Sequence, residues 1–497
     1  MNEATRAQLP LDAILAGVDG NAMLDDLRVF AGRTKLSGTA EELDSFRYLQ
    51  ERMKGLGFRT ALLRHDAFIS LPGPARLAAG GRAFRCITHS FSQPSAPGGT
   101  AGRLVDVGEG SAAEFAGKDV RGTVVLVDGI AGPDVAARAS AAGAAGQVHV
   151  SPHEHLHEMC ISPVWGSPAP DEMTRLPTTV AVTVSAADGA ALRALLTAGE
   201  APEAVLHAEV DTGWRKTPIV VAELDGPDPE GEFILFSNHH DTWFQGVMDN
   251  GGANTTTLEV ARLCAQQRRH MKRGLRVCFW SGHSHGRYSG SAWYAENFWD
   301  ELDRRCAAHV NLDSTGGAGA TVLTRSGVAA ELATVAAEAV RAETGQDHAG
   351  NRMGRNADHS FWGVGIPSMF GSISHQPPER QVAGLPHLGW WWHTEHDLLD
   401  RIDPGCLLRD TRVAARVVWQ LLSDPVLPLD LARQLAPLLA ELDALAPRIG
   451  TRLDMRRVVD AAQRCMDAAA ALPAAMYDPG RINRALMRAS RILVPLD

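Results

Sequence analysis

Short apolar runs alternate with helix-forming segments across residues 216–424, and this alternation limits the fold more than any other feature of the chain. The strand-like runs are IVVAEL, EFILFSN, LRVCFWS and AHVNLDS. Apolar strands separated by amphipathic helices are typical of an open α/β sheet with helices on both faces. The sequence therefore predicts a mixed α/β fold of this class for the region.

Two other regions differ from this pattern. Residues 68–215 contain short β-rich runs such as GTVVLVDG, which predict an inserted β-rich domain. Residues 425–497 are rich in Ala and Leu and predict a separate C-terminal helical domain. The α/β domain would then comprise residues 1–67 and 216–424.

The bulk properties exclude several classes of partner. The net charge of −10 argues against a nucleic-acid partner, which requires a basic face. No apolar run approaches the roughly 20 residues that cross a membrane. The N-terminal sequence lacks a basic start followed by an apolar run, and the seven cysteines contain no CxxC pair. These features predict a cytoplasmic protein with reduced cysteines and no membrane partner.

Side chains that can bind a metal follow several of the predicted strands. His239 and Asp241 come directly after EFILFSN, Asp249 lies in MDNGG, Asp313 ends AHVNLDS, and His393 follows three tryptophans. Imidazoles and carboxylates brought together at strand ends suit zinc or a similar divalent metal. Each alone has a simpler explanation, since HxD occurs in surface loops and an Asp can cap a helix. Their combination predicts a metal centre.

The carboxylates could serve two metal ions. Asp249 has two oxygens and can bridge two ions about 3.5–4 Å apart, which would polarise a carbonyl and activate a water molecule. Asp241 could hold the second ring nitrogen of His239 and so orient that ligand. Zinc is the expected metal, as one or two divalent ions, with manganese or iron as alternatives.

Together these segments resemble the dinuclear zinc aminopeptidase and glutamate carboxypeptidase-like metallopeptidase family. NHHDTW is similar to the family's H-x-D-S-W, MDNGG to its bridging Asp, and VNLDS to its later Asp ligand. NADHSFWGVGIPS resembles S-D-H-x-x-F…G-I-P-x, and WHTEHD resembles the closing H-T-x-x-D. The resemblance covers about residues 24–424. It implies that residues 68–215 are a protease-associated insert and that the tail is a dimerisation domain, hence a homodimer.

The resemblance also implies a ligand set. One metal would be held by His239, Asp249 and Asp313, and a second would share Asp249 and use His393. The family's W-x-x-E-E-x-G-x-x-G-S segment is altered in this chain, which reads WSGHSHGRYSGS. His283, Ser284 and His285 stand where the family has two glutamates, a general base and a metal ligand.

Two functional interpretations of this departure remain open. In the first, His283 replaces the catalytic base and His285, helped by one inserted residue, replaces the ligand. In the second, the second metal is lost and both histidines hydrogen-bond the substrate. The simplest alternative is a pair of ordinary loop histidines. We favour the first interpretation.

Further residues are candidates for substrate binding. Arg352, Arg355 and Asn356 precede the NADHSF segment, near where family members that prefer acidic substrates place arginine and asparagine. Arginine forks suit carboxylates, although pairing with surface acids would explain them equally well. His155, in SPHEHLHEMC, could reach the substrate or the metal from the insert. A solvated loop or adventitious metal binding would also account for it.

The predicted function is a metal-dependent hydrolase. It would cleave an amide or related C–N bond in a small peptide-like or N-acyl amino acid substrate, with proton transfer through His283. One alternative is a metal-dependent lyase or deaminase on the same scaffold, because a changed base suits a changed chemistry. The other is a non-catalytic binding or dimerising protein.

Overall fold

A computed structural model describes residues 11–198, 202–350, 357–471 and 478–496 of the chain. Within them, one mixed sheet of twelve strands runs through the molecule. The strands are β1 (Arg59–Ala79), β2 (Arg82–Phe84), β3 (Ile87–Thr88), β4 (Thr100–Asp106), β5 (Val124–Asp128), β6 (Gly146–Val150), β7 (Val180–Val184), β8 (Glu203–Leu224), β9 (Phe233–His239), β10 (Gly274–Trp280), β11 (Cys306–Leu312) and β12 (Ser368–Gly371).

The helices cover this sheet and form the C-terminal region. They are α1 (Gly20–Ala31), α2 (Ala40–Gly55), α3 (Ala112–Phe115), α4 (Pro133–Ala141), α5 (Ala186–Thr197), α6 (Ala253–Gln266), α7 (Ser289–Asn297), α8 (Trp299–Arg305), α9 (Ala333–Thr344), α10 (Pro404–Ser423), α11 (Leu431–Ile449), α12 (Arg456–Ala471) and α13 (Pro479–Leu493).

Four parallel strands form the part of the sheet that carries the predicted ligands. β12, β11, β9 and β10 lie side by side in that order, and β8 pairs with β10 in the antiparallel direction. Every residue of β9, β10 and β11 is buried, as expected for strands covered on both faces. Because these strands are parallel, their carboxyl ends meet at one edge of the sheet.

Alternate residues of the strands pack into two different cores. Phe236 and Val277 belong to the larger core, which includes residues of α2, α6, α9 and α10. Leu235 and Cys278 face the other way and pack with Tyr294 of α7. Each such apolar side chain contributes about 1.5–3 kcal/mol to folding by leaving water. Helices therefore cover both faces, and the predicted mixed α/β class is confirmed.

Strands β1 and β8 connect the inserted region to the α/β region. They pair in the antiparallel direction from Arg59 opposite Glu223 to Ala79 opposite Ala204, with one irregularity between Pro72 and Ala75. The predicted boundaries at 67/68 and 215/216 thus fall inside two continuous strands. The sheet continues from β8 to β4, which pairs with it in the antiparallel direction. β5, β6 and β7 then follow β4 as parallel neighbours around their own apolar core.

The C-terminal helices are attached unequally. Leu431 of α11 and Leu486 of α13 are buried against the main core, whereas α12 buries none of its side chains. All seven cysteines are unpaired, and Cys465 alone is exposed. Among the described residues, no helix combines the length and apolar character that a membrane span requires.

Candidate metal centre

Four predicted ligands converge at the carboxyl edge of the parallel strands. His239 is the last residue of β9, Asp313 directly follows β11, and Asp249 lies in a π turn that leads into α6. The His239 Nε2 atom lies 3.2 Å from Asp249 Oδ1 and 3.5 Å from Asp313 Oδ1. The His393 Nε2 atom lies 3.1 Å from Asp249 Oδ2. Asp249 therefore faces both imidazoles with different oxygens, as a bridging ligand would.

The donor atoms of this cluster fit a divalent metal. His239 Nε2 and Asp249 Oδ1 are buried and make no hydrogen bond within the described part of the chain. Ligand atoms around a tetrahedral zinc with bonds of about 2.0–2.1 Å lie roughly 3.3 Å apart. The observed separations of 3.1–3.5 Å match this spacing. A cation would satisfy both atoms, and the residues present fit the predicted metal.

Backbone carbonyl groups orient both imidazoles. His239 Nδ1 lies 2.9 Å from the carbonyl oxygen of Asp241, and His393 Nδ1 lies 2.8 Å from that of Glu158. A carbonyl can only accept, so each Nδ1 donates and each Nε2 presents its lone pair to the carboxylates. The predicted contact of Asp241 with His239 is thus made mainly by its main chain. The carboxylate is farther from Nδ1, at 3.7 Å.

The Asp241 carboxylate instead organises the loop after β10. Its Oδ2 accepts hydrogen bonds from the Ser284 backbone N–H at 2.9 Å and from Ser37 Oγ at 2.7 Å. Burial by itself would raise the pKa of Asp241, but its contact with His239 holds that pKa well below the usual value. Asp241 is therefore a buried anion at the base of the centre.

Asp397 holds the turn that carries Asp249. Its two oxygens accept the backbone N–H groups of Met248 at 2.8 Å and Asp249 at 2.9 Å. Burial raises the pKa of Asp397 to about 7, and the two backbone donors limit the rise. The sequence grouped Asp397 with the candidate metal ligands without giving it a role of its own. Its place at the end of the WHTEHD segment was the available signal.

His283 lies beside the metal ligands. Its ring stacks on that of His239 with 3.6 Å between ring centroids, and one ligand atom each of His239, His283 and Asp313 lie within 4.8 Å of one another. His283 Nδ1 is 2.9 Å from Asp358 Oδ2, and the other Asp358 oxygen accepts from Ser291 Oγ at 2.8 Å. Sequence reasoning missed Asp358, although it lies in the quoted NADHSF segment.

His285 lies on the same loop, with its ring held by residues of other segments. Its Nδ1 lies 3.1 Å from Ser37 Oγ, and its ring packs 4.6 Å from that of Trp243. Burial lowers the pKa of His285 to about 4. Its Nε2 atom is buried and makes no hydrogen bond within the described residues, so its role as a metal ligand stays a prediction. Ser284, at the preceding position, lines the cavity.

The structure describes only one of the residues predicted to bind substrate. Arg352, Arg355 and Asn356 lie outside the described residues. His155 stacks on Trp390 with 4.2 Å between ring centroids, in the loop that precedes His393. It belongs to a group of histidines beside the centre and is not among the residues that line the cavity.

A cavity of about 550 Å³ opens on the cluster. Asp249, Asp313 and His393 line it together with His283. The remaining wall includes two arginines, one tyrosine and two tryptophans: Arg287, Arg325, Tyr288, Trp243 and Trp392. This volume suits a small molecule, and the wall combines cationic and aromatic groups.

Comparison with known proteins agrees with the predicted resemblance. Residues 220–418 match the family model described as Peptidase family M28, a range that includes all four converging ligands. A probable glutamate carboxypeptidase from Zea mays is 23% identical over 237 residues, 44% of this chain and 32% of that protein. A second one from Arabidopsis thaliana is 27% identical over 21% of this chain and 15% of that protein. The chain thus spans about a third or less of these relatives.

Solved structures show the same fold over most of the chain. An aminopeptidase from Aneurinibacillus sp. strain AM-1 aligns with a TM-score of 0.64 and 22% identity, covering 84% of this chain and 98% of that one. A zinc aminopeptidase from Bacillus subtilis aligns with a TM-score of 0.63 and 19% identity, covering 82% and 96%. The predicted resemblance to zinc aminopeptidases is confirmed at the level of the fold.

Proposed function

We propose that this chain is a metal-dependent hydrolase of an amide or related C–N bond in a small peptide-like or N-acyl amino acid substrate. The convergence of His239, Asp249, Asp313 and His393 on one cavity carries the proposal. The match of residues 220–418 to a peptidase family supports it. Peptide-sized substrates also suit a cavity of about 550 Å³.

The ligand set would hold one or two zinc ions. His239, Asp249 and Asp313 would hold the first, and Asp249 with His393 would hold the second; manganese and iron accept the same ligands. Bound zinc supplies Lewis-acid polarisation of the substrate carbonyl and a more acidic water. The protein contributes the carbonyl groups and Asp397, which keep these side chains in place before any substrate arrives.

His283 would act as the general base. Asp358 accepts from Nδ1 of His283, so the Nε2 atom is free to take a proton from the attacking water. The Asp358 carboxylate would then stabilise the positive imidazolium that forms. The same Nε2 could later return the proton to the leaving nitrogen. This role replaces the glutamate base that the sequence lacks.

The arginines on the cavity wall indicate a substrate with a carboxylate. Arg287 and Arg325 line the cavity, and guanidinium groups pair well with carboxylates. The aromatic rings of Tyr288 and Trp392 lie on the same wall and offer apolar contact to a side chain. We therefore place acidic and aromatic dipeptides and N-acyl amino acids first in a substrate panel.

The test combines metal content with hydrolysis of that panel. We expect the native chain to bind one to two equivalents of zinc at this centre and to release an amine from at least one substrate. His239→Ala and His393→Ala should lose metal and activity, whereas His270→Ala, outside the centre, should keep both. A native chain that binds no zinc after supplementation, or that hydrolyses nothing in the panel, would contradict the proposal.

A different chemistry is the second candidate. His283 and Ser284 line the cavity where the resembled family has glutamates. A lyase or deaminase would fit a site with an imidazole base, and it would eliminate a group or release ammonia without cleaving an amide. Mass analysis of the products separates these outcomes. The converging ligands argue against a purely non-catalytic binding protein, since binding alone would not require them.

We also propose a homodimer in the cytoplasm. Helix α12 buries none of its side chains, and Leu453 and Val458 at its start are strongly exposed. A second copy of the chain would cover this surface, and light scattering of the purified protein should report twice the chain mass. The unpaired cysteines suit a reducing compartment.

A further inference from the structure

Several histidines gather in the insert, outside the catalytic centre. His153, His155 and His157 come from one loop after β6, and His396 approaches from the segment after His393. The Nε2 atoms of His153 and His157 lie 2.6 Å apart. The ring of His155 lies 5.1 Å from that of His153 and 4.9 Å from that of His396. Four imidazoles thus share one small region.

One pair of these imidazoles is arranged with facing nitrogens. His157 Nδ1 lies 2.6 Å from the carbonyl oxygen of Trp392, which can only accept, so this nitrogen carries the proton. Its Nε2 therefore presents a lone pair towards His153 Nε2. A carbonyl that fixes the outer nitrogen is the usual support of a metal-binding histidine. This hydrogen bond supports His157, which is not a residue of the catalytic centre.

A carboxylate completes the donor set. One ligand atom each of His153, Glu154 and His155 lie within 4.8 Å of one another, and His155 Nε2 lies 3.5 Å from Glu154 Oε1. The cluster is half-buried, so a cation can reach it from solvent.

We propose that the insert carries a second zinc site formed by His153, Glu154, His155 and His157. Zinc prefers four nitrogen, sulfur or oxygen ligands, and three imidazoles with one carboxylate meet this preference. The two Nε2 atoms would separate by about 0.7 Å to reach the roughly 3.3 Å spacing of zinc ligands. Because all four ligands come from the protein, the site would be structural.

This zinc would fasten the insert to the loop that carries His393. His157 contacts Trp392 O, and His155 stacks on Trp390. The next residue, Glu158, exchanges two hydrogen bonds with His393: its backbone N–H donates to His393 O at 3.0 Å, and its carbonyl accepts from His393 Nδ1 at 2.8 Å. The site itself stands apart from the proposed function, whereas its effect on His393 rests on that function.

Counting zinc in the full-length chain tests the site. After dialysis against metal-free buffer, the native chain should hold one more equivalent than the double variant His153→Ala/His155→Ala. His207→Ala, a half-buried histidine on β8 of the same insert, should keep the native count. Equal zinc in the native chain and the double variant would overturn the proposal. So would loss of the extra equivalent from the native chain on dialysis, which would mean adventitious binding only.

A second measurement uses the native chain and so does not depend on variant folding. After a chelator has stripped the metal, carbethoxylation of His153 and His155, followed by mass spectrometry, should slow at least tenfold when zinc is restored, while His270 reacts at an unchanged rate. An unchanged rate at His153 and His155 would overturn the proposal. Failure of the catalytic metal is distinguishable, because His239→Ala would then keep all bound zinc while the double variant loses it.

Discussion

At the scale of single residues, the centre depends on side chains that hold its functional groups in place. Asp358 and Asp397 are buried, and neither is among the residues that line the cavity. One fixes the ring of His283 and the other fixes the turn of Asp249. Substitutions at these positions therefore separate positioning from metal binding.

Asp358→Asn should lower kcat by about 10–100-fold with little change in KM. An amide keeps the size of the side chain but cannot stabilise the protonated imidazole of His283. Metal content should stay at the native value, because Asp358 lies on the side of His283 away from its proposed reacting nitrogen. Steady-state kinetics and metal analysis measure both, with the exposed Asp347→Asn as control. A parallel loss of metal would instead make Asp358 a determinant of the metal centre.

The sequence identified residues whose type and strand-end position both point to metal binding. His239, Asp249, Asp313 and His393 were found in this way, and the structure brings them together. Ser37 was missed because it meets Asp241 across 204 positions, a contact that no local motif encodes. Which of His283 and His285 points towards the cavity also depends on how the loop turns. An inserted residue makes the direction of successive side chains unpredictable from spacing.

At the scale of elements, a close approach of two loops brings the aspartates together. Asn250 Nδ2 donates to the Leu312 carbonyl at 3.2 Å, and Asn250 Oδ1 accepts from the Ser314 backbone N–H at 3.0 Å. Gly252 makes room for this contact. A Cβ atom there would lie 2.2 Å from the carbonyl oxygen of Thr315. The start of α6 can therefore touch the loop after β11 only if this residue is glycine.

Gly252→Ala should weaken metal binding and lower stability. Its backbone is helical, so alanine suits the local conformation and only the contact with Thr315 O is lost. We expect a cost of about 1–3 kcal/mol from the forced backbone shift. Urea denaturation and zinc titration measure the two effects. Gly55→Ala, with no atom within 4 Å of its Cβ, should leave zinc affinity unchanged. Equal behaviour of the two variants would refute this explanation.

Element positions followed from the sequence better than element ends. The composition of the Ala-rich segment 136–146 favours one helix, but α4 ends at Ala141 and β6 begins at Gly146. Gly143 adopts a left-handed conformation, and Ala144 N–H bonds back to Ala139 O, which terminates the helix. Alanine content favours a helix throughout, whereas the glycine decides where it stops.

At the scale of the whole molecule, buried histidines should make the fold sensitive to mild acid. Burial lowers the pKa of His65 and of His149 to about 4. It holds the pKa values of His89, His240 and His309 still further below the usual value. Between pH of about 6.5 and 4 the unfolded chain binds protons that the folded chain does not, so stability falls as pH falls. A shift to pKa 4 corresponds to about 3 kcal/mol per fully buried group.

Urea denaturation at pH 7.5, 6.0 and 5.0 checks this expectation, with a chelator present so that metal release does not contribute. The midpoint should decrease steadily over this range. Buried carboxyl groups with raised pKa values, such as Glu42 and Asp397, act in the opposite direction but are fewer. A midpoint that is constant or rises towards pH 5 would show that these carboxyl groups dominate.

The sequence predicted the three regions of the chain but not how the first two are joined. Composition changes near residues 67 and 215 mark different surroundings for the side chains. These composition changes carry no information on whether a strand is interrupted at those positions. In the structure β1 and β8 have 21 and 22 residues, far longer than common strands. Only pairing over that whole length, which depends on the partner strand, shows that the two regions share one sheet.

This shared pair of strands has a mechanical consequence. A domain on a flexible linker can rotate as a rigid body at little energetic cost. Here such a rotation would have to twist the β1–β8 pair and break its backbone hydrogen bonds. Motion of the insert relative to the α/β region is therefore restricted by the backbone hydrogen bonds of this pair along its whole length.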